Sequence, residues 1–272
     1  MELSEFGKHF ITVLSKWNEL FNPAQVPPFL FHYTTFEGLK GILKDNALRA
    51  TFSQSLNDGS EWEFGRSVVR KYPVPEEMAK ALAPPSPWAE PAPKSIFVTC
   101  FCEESDLLSM WRSYSVHGGG YCLGFDGPHL ANLQRERLEK LGEFAARLVK
   151  VYYGESLPPL VEGLLKSGAH STAEWVLENI IKHHGFVEEK EWRIIVPDPP
   201  VSLMSFHAGQ VNIKASVLVR NHDGDHRLPL KKLFYGPTLR DDAALETTLR
   251  WLLESYGYGD VEVVRSVIPY RL

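Results

Sequence analysis

The sequence has few cysteines, no long hydrophobic run and no excess of positive charge, and each shortage argues against a class of protein. Its three cysteines, Cys100, Cys102 and Cys122, are too few and odd in number for a disulfide framework. No run of roughly 18 apolar residues indicates a membrane span, and no basic segment followed by an apolar stretch indicates a signal peptide. The net charge of −5 does not indicate a nucleic-acid partner. We therefore expect a cytoplasmic protein in a reducing compartment, with no membrane partner.

The sequence also lacks the usual signatures of phosphate loops and zinc sites. No GxGxxG or Walker motif occurs, and residues 118–120 (GGG) lack the strand–helix surroundings of a phosphate loop. Cys100 and Cys102 are separated by one residue rather than two, and His117 is not at zinc-site spacing, so no metal site is predicted. A nucleophilic pair of one of these cysteines with His32 or His117 stays open, because the sequence does not constrain its geometry.

The order of predicted elements favours a single α+β domain. Residues 1–28 are predicted to form an amphipathic helix and a proline-rich connection, and residues 29–272 the domain itself. Within it, residues 73–93 hold seven prolines and are interpreted as a long surface excursion. Strands and helices alternate without a strict βαβ rhythm. We therefore expect a mixed, mainly antiparallel sheet flanked by helices.

A first group of candidate binding residues lies in the first strand and in the loop after the second. His32, Tyr33 and Thr34 close the run FLFHYT, where neighbouring side chains point to opposite faces of a strand and either face can border a cleft. Asn57 and Asp58 lie in a polar loop before a helix. Their alternative roles are structural, since a strand histidine is often satisfied by backbone and an aspartate here suits a helix cap.

A second group consists of aromatic residues in a short predicted helix. Trp111 and Tyr114 in MWRSYS are three residues apart and therefore share one helix face. Such a pair can stack on a ligand ring or belong to the core.

The third group lies in the segment EEKEWRIIV. On a strand, Glu189, Glu191 and Arg193 would point to one side, and three charges on one face leading into an apolar run are unusual. An exposed face explains them without a function. Two carboxylates beside an arginine also suit a cleft that binds sugar hydroxyls and stabilises a developing positive charge.

Several blocks in the right order resemble the bacterial domain-of-unknown-function family 2971. They are FHYTT, GLKGIL, LRAT, SLNDGSE, VTCFCEESDLLSMWRSYSVHGGGYCLGFD, EEKEWRI and LFYGP. The resemblance covers roughly residues 29–272. Two departures from the family pattern are visible: Gly59 stands where the family usually has Pro, and Phe186 where it tends to have Trp.

The first strand and the late Glu-x-Glu strand are also similar to the ADP-ribosyltransferase fold. That resemblance implies NAD as a substrate, with His32 on its ribose and Tyr114 or Trp111 stacked on nicotinamide. It further implies that Glu191 assists cleavage of the glycosidic bond and that Glu189 orients the acceptor. These roles are an analogy at the level of the fold.

Three hypotheses follow for the function. The chain is an NAD-using ADP-ribosyltransferase or NAD glycohydrolase, in a toxin or phage-defence setting and with an acceptor, macromolecular or otherwise, that the sequence does not identify. Alternatively, it is a non-catalytic module that binds a nucleotide or a protein. In the third, His32, Asn57 and Glu191 form a buried hydrogen-bond network that only ties strands together.

Overall fold

The computed structural model describes residues 12, 15–20, 25–56, 60–73, 76, 95–114, 119–131, 146–167, 170–208, 213–220, 227–237 and 243–269. The strands are β1 (Phe29–Thr34), β2 (Ala47–Phe52), β3 (Ile96–Cys102), β4 (Tyr121–Asp126), β5 (Arg147–Lys150), β6 (Tyr152–Tyr153), β7 (Ile181–Lys182), β8 (Glu191–Pro197), β9 (Met204–Ala208), β10 (Ile213–Arg220), β11 (Leu230–Tyr235) and β12 (Glu262–Arg265). The longer helices are α1 (Phe36–Asp45), α2 (Ser60–Val69), α3 (Leu108–Tyr114), α4 (Pro159–Lys166), α5 (His170–Ile180) and α6 (Ala243–Ser255). Most of the excursion at 73–93 lies outside the described residues.

Ten of these strands form one large sheet. Its main path runs β12-β11-β4-β1-β3-β2-β10-β9, while β8 pairs with β3 and with β5. The pairing of β11 with β12 is parallel, and the other pairings of this sheet are antiparallel. The predicted α+β class, with a mixed and mainly antiparallel sheet flanked by helices, is confirmed.

The sheet branches at β3. Along one edge β3 pairs with β8 over its whole length, from Ile96 to Cys102. Its other edge is divided, because β2 pairs with Phe97 and Val98 whereas β1 pairs only with Cys102. Strands β1 and β2 therefore separate around the middle of β3, and this separation leaves room beside the sheet.

Apolar side chains cover both faces of the branched sheet. On one face, α1 contributes Leu39, Ile42 and Leu43 and α6 contributes Leu249 and Leu253 to a large core. The opposite face carries a second core, made by residues of α4, α5, β3 and β8 together with Trp17 and Leu20. The helical residues 15–20 thus pack on the body of the protein, as the amphipathic pattern predicts for this stretch.

One predicted strand starts two residues later than expected. The segment His184–Glu189 is a 3₁₀ turn, and β8 begins only at Glu191. Between them, Lys190 has a left-handed backbone with φ of 40°. The expectation that Glu189 lies on the strand is therefore wrong, because the chain turns at Lys190 before it extends.

Asn46 joins the end of α1 to a distant part of the chain. It adopts a left-handed conformation with φ of 45° at the helix terminus. Its Oδ1 accepts hydrogen bonds from the backbone N of Leu228 at 3.0 Å and from the hydroxyl of Tyr258 at 2.6 Å. Asparagine suits both tasks, since it tolerates positive φ and offers a short side-chain acceptor.

Two substitutions of Asn46 separate these tasks. Asn46→Gly removes the acceptor but accepts positive φ, whereas Asn46→Ala removes the acceptor and adds about 1 kcal/mol or more of backbone strain. We expect both variants to be less stable than the parent, and the alanine variant to be the less stable of the two in urea unfolding. Equal stability of the two variants would contradict the left-handed conformation.

Candidate functional site

Two cavities adjoin each other where the sheet branches. The larger, of about 250 Å³, is called the polar chamber because half of its lining residues are charged: Thr51, Leu56, Glu61, Cys100, Ser113, Tyr114, Lys182, Phe186, Glu189, Glu191, Arg193 and Lys214. The smaller, of about 50 Å³, is called the apolar chamber and is lined by Phe31, His32, Tyr33, Cys100, Phe101, Met110, Tyr114, Glu189 and Glu191. The chambers share four residues: Cys100, Tyr114, Glu189 and Glu191.

Five charged side chains form a compact cluster in the wall of the polar chamber. The Nζ of Lys182 lies 2.7 Å from Oε1 of Glu61, 2.6 Å from Oε2 of Glu189 and 3.3 Å from Oε2 of Glu191. The Lys182 side chain is only 2% exposed. A buried ammonium needs such partners, because its desolvation is costly without opposite charge.

Arg193 completes the cluster from within the same strand as Glu191. Its Nε lies 2.7 Å from Oε1 of Glu191 and its Nη2 2.9 Å from Oε2, which is the two-pronged geometry that guanidinium and carboxylate groups favour. The same Nη2 donates to Oε2 of Glu61 at 2.8 Å, and Nη1 donates to the carbonyl of Asn179 at 2.8 Å. Three carboxylates therefore surround two cations, which leaves one negative charge uncompensated within the cluster when all five groups are ionised.

The two glutamates of the segment have opposite electrostatic surroundings. Burial raises the pKa of Glu191, but Arg193 and Lys182 together outweigh it and lower that pKa to about 2. For Glu189 the same kind of burial prevails over the attraction of Lys182, and its pKa is raised above the ordinary value. Glu191 is thus held ionised, whereas Glu189 is the more basic carboxylate.

Cys100 lies between these carboxylates and the first strand. It stands opposite Arg193 in the β3–β8 register and lines both chambers. Burial and the nearby charge of Glu191 raise the pKa of its thiol well above the ordinary value. The thiol is therefore protonated at neutral pH, which does not favour Cys100 as the nucleophile of a Cys/His pair.

His32 lines the apolar chamber and fills the space between β1 and the middle of β3. Its Nδ1 lies 2.8 Å from the carbonyl oxygen of Cys100. Burial lowers the pKa of His32, so the imidazole is neutral at physiological pH. His32 therefore combines the two predicted roles. It makes the backbone contact expected of a structural histidine, and it lines a cavity as expected of a binding histidine.

The two predicted aromatic residues of α3 have different surroundings. Trp111 is fully buried, packs edge-on against Tyr33 at 4.9 Å, and donates from Nε1 to Oδ1 of Asp106 at 2.6 Å. Tyr114 is 36% exposed and lines both chambers. Trp111 therefore packs α3 against the core, and Tyr114 is the member of the pair that can contact a ligand.

Of the remaining predicted residues, Tyr33 and Thr34 lie at or beyond the edge of the site. The hydroxyl of Tyr33 donates to the carbonyl of Glu104 at 3.1 Å and accepts from the amide of Leu107, although the residue also lines the apolar chamber. Thr34 ends β1 and does not line either chamber. Asn57 and Asp58 lie outside the described residues.

Sequence reasoning did not identify Lys182, Glu61, Phe186 and Lys214 as members of one site. Lys182 sits on the two-residue strand β7, and its Nζ lies 4.5 Å from the ring centroid of Phe186. The single signal for Phe186 is its place where the resembled family tends to have Trp. Glu61 lies in the first turn of α2, where acidic residues are common, and nothing local in the sequence points to its partners.

Lys182→Met should destabilise the protein strongly. The change leaves Glu61, Glu189 and Glu191 with Arg193 as their remaining cation in the cluster, and breaking a buried ion pair typically costs about 3–5 kcal/mol. The matched control is Lys190→Met, because Lys190 pairs with Glu104 at the surface, with both side chains about half exposed. We expect the control to lose far less stability in urea unfolding.

The double variant Lys182→Met/Glu189→Gln tests the same charge balance by also removing the negative charge of Glu189. It removes one of the carboxylates that Lys182 compensates, so part of the lost stability should return. A single variant as stable as the control, or a double variant less stable than the single, would contradict the proposed charge balance.

Three comparisons with known proteins bear on this site. No curated protein and no solved structure matches the chain, so the ADP-ribosyltransferase-like fold stays a prediction. No helix among the described residues is both long and apolar enough to cross a membrane. Residues 110–194, a span that includes Tyr114, Lys182, Glu189, Glu191 and Arg193, match the model of the family described as "Protein of unknown function (DUF2971)", in agreement with the resemblance drawn from the motifs.

Proposed function

We propose that this protein is an enzyme that breaks the bond between ribose and nicotinamide in NAD, as an ADP-ribosyltransferase or an NAD glycohydrolase. One observation carries the proposal. Two carboxylates line the same pair of chambers, and their surroundings move their pKa values in opposite directions. Such pairs are typical of enzymes that cleave glycosidic bonds, where one group stays ionised and the other exchanges a proton.

The first step needs stabilisation of a cation. When the bond between ribose and nicotinamide breaks, its electron pair moves to the ring nitrogen, nicotinamide leaves as a neutral molecule, and the ribose becomes an oxocarbenium ion. Glu191 is ionised and fixed in place by Arg193 and Lys182. The negative charge left over in the cluster therefore faces the developing cation without needing to reorient.

The second step needs a base. Water, or a hydroxyl or amine of an acceptor, adds to the ribose carbon and loses a proton. Glu189 can take this proton, because its raised pKa makes it a stronger base than an ordinary glutamate. This role extends the orienting role that the resemblance implies for Glu189.

The walls of the chambers suit a nucleotide fragment. The aromatic ring of Tyr114 borders both chambers, and Phe186 and Lys214 border the polar chamber. The volume of about 250 Å³ lies just below the range of roughly 300–1,000 Å³ typical of ligand sites. It fits a ribose with its substituent better than a whole dinucleotide, so the rest of NAD would extend beyond it.

A non-catalytic binding module is the second candidate, and one observation favours it. Both carboxylate oxygens of Glu191 already accept hydrogen bonds from Arg193. A carboxylate so fully engaged can serve recognition alone, as part of a rigid charged wall.

The proposed setting is the bacterial cytoplasm, with a role as a toxin or phage-defence effector. Support comes from the bacterial family resemblance and from Cys100, Cys102 and Cys122, which are all free thiols and suit a reducing compartment. The acceptor would be water or a macromolecule that presents a nucleophile.

Release of nicotinamide from NAD tests the proposal, with Glu191→Gln as the main variant. We expect the variant to lose about a hundredfold or more in kcat while KM changes only a few-fold, because the charge acts on the transition state. Glu188→Gln is the matched control, since Glu188 lies exposed in the same 3₁₀ turn. A thermal midpoint close to that of the parent protein would show that the variant is folded.

The pH profile separates the roles of the two carboxylates. The base must be ionised, so kcat/KM should rise with pH through the raised pKa of Glu189, and Glu189→Gln should remove this limb. Parent protein that binds NAD, seen as a thermal shift, without releasing nicotinamide would favour the binding module. Undiminished turnover in Glu191→Gln would refute the assignment.

A further inference from the structure

The apolar chamber has the size of a water pocket rather than of a ring pocket. Its volume is about 50 Å³, whereas an apolar cavity that binds benzene measures about 150 Å³. A water molecule takes up about 30 Å³ in the liquid, so the chamber has room for about one or two of them. The ribose and its substituent must therefore lie in the larger polar chamber.

Polar groups in the wall of the apolar chamber allow it to hold water. His32, Tyr114 and Glu189 all line it. Glu189 contacts Lys182 through Oε2, and among the residues that the structure describes its Oε1 and the hydroxyl of Tyr114 make no hydrogen bond. A buried water molecule needs about two to four polar partners. The wall therefore offers hydrogen-bonding capacity that the described side chains do not use among themselves.

The hydrogen bond of His32 to β3 makes its second nitrogen an acceptor. The carbonyl oxygen of Cys100 can only accept, so Nδ1, at 2.8 Å from it, carries the proton. In a neutral imidazole Nε2 is then an acceptor, and the lowered pKa of His32 agrees with the neutral form. Water can donate to this nitrogen and to Oε1 of Glu189, and it can accept from the hydroxyl of Tyr114.

We propose that the apolar chamber holds the water molecule that attacks the ribose, so that the acceptor is water and the products are nicotinamide and ADP-ribose. This inference rests on the proposed function, in which water and a macromolecule are both candidate acceptors. It differs from the resemblance in the role of His32, which binds the attacking water instead of the ribose.

The wall that the chambers share brings this water to the reacting carbon. Tyr114, Glu189 and Glu191 line both chambers, so a ribose in one and a water molecule in the other meet beside them. Nicotinamide has already departed with its bonding electrons, and the water oxygen forms a bond to the cationic ribose carbon with a lone pair. The proton of the water moves to Glu189, whose raised pKa suits it to accept, and then to solvent.

The small volume of the apolar chamber also selects against larger acceptors. A hydroxyl or amine that attacks from this side must fit in about 50 Å³. Ethanol is a suitable probe, because it offers the same hydroxyl on an added ethyl group. We expect the parent protein to use water in preference to ethanol by about tenfold or more at equal concentration, as a pocket that excludes an alkyl group does. Chromatography of ADP-ribose and ethyl ADP-riboside measures this ratio.

Met110→Ala tests whether the chamber causes this preference. Met110 lines the apolar chamber and not the polar one, so its truncation enlarges the apolar chamber alone. We expect the preference for water to fall to about twofold or less. The matched control is Leu107→Ala, because Leu107 packs on the same small core as Met110 but lines neither chamber. It should keep the preference of the parent, and thermal midpoints show whether both variants are folded.

NMR tests the presence of the water without turnover. In protein labelled with carbon-13 at the methionine methyl groups, we expect magnetisation transfer between water and the methyl group of Met110, which lines the chamber. Met110→Ala assigns this signal by removing it. A methyl group of Met110 that receives no magnetisation from water would overturn the inference.

The outcomes separate the two proposals. Ethanol used as readily as water by the parent, an unchanged preference in folded Met110→Ala, or label from NAD that appears on added bacterial protein instead of in ADP-ribose would overturn the role of the chamber. Release of nicotinamide together with any of these results would leave the proposed function standing. Water in the chamber without release of nicotinamide would count against the proposed enzyme and therefore against attack by this water.

Discussion

Burial of the Lys182 ammonium is the constraint on which the arrangement of the site depends. Its carboxylate partners come from α2, from the 3₁₀ turn before β8 and from β8 itself. A buried charge is tolerated only when its partners reach it with good geometry. These three segments must therefore hold fixed positions around β7, and the charge cluster rigidly connects the helices on one face with the central strands. A preorganised site needs the same rigidity.

The branching of the sheet gives this cluster its cavity. In an unbranched sheet a second strand would pair with the middle of β3, and no chamber would form there. Instead β1 and β2 separate, and the imidazole of His32 satisfies the carbonyl of Cys100 that would otherwise lack a strand partner. One structural requirement, satisfying a backbone carbonyl at the branch, thus positions a neutral imidazole beside the ionised carboxylate of Glu191. The charged and the apolar walls of the site arise from the same feature of the fold.

Local sequence patterns predicted part of this site. The alternation in EWRIIV correctly placed Glu191 and Arg193 on one face of a strand, and the class of the sheet followed from the order of elements. The strand in fact buries that face, so the simple interpretation of an exposed charged face is wrong: β8 is buried at every position. Trp111 and Tyr114 lie in one helix, as their spacing predicts. The spacing alone does not show which of the two is buried in the core.

Long-range partners explain what the sequence did not show. Arg193 and Glu61 are 132 positions apart, and nothing near Glu61 distinguishes it from the acids that commonly begin helices. Lys182 lies on a strand of two residues, too short for any periodic pattern. Glu189 and Glu191 do lie close together, because both contact Lys182. Strand alternation is not the cause, since Glu189 lies before the strand and a left-handed turn at Lys190 separates it from Glu191.

The central claim is that two neighbouring glutamates are held in opposite electrostatic states. Carbon-detected NMR of the side-chain carboxyl groups, assigned with Glu189→Gln and Glu191→Gln and followed from pH 2 to 8 as far as the protein stays folded, tests it most directly. The account predicts that Glu191 remains ionised down to a pKa of about 2 and that Glu189 titrates above the ordinary glutamate value. Titration of both groups at the ordinary value, or of Glu191 at a higher pH than Glu189, would contradict it.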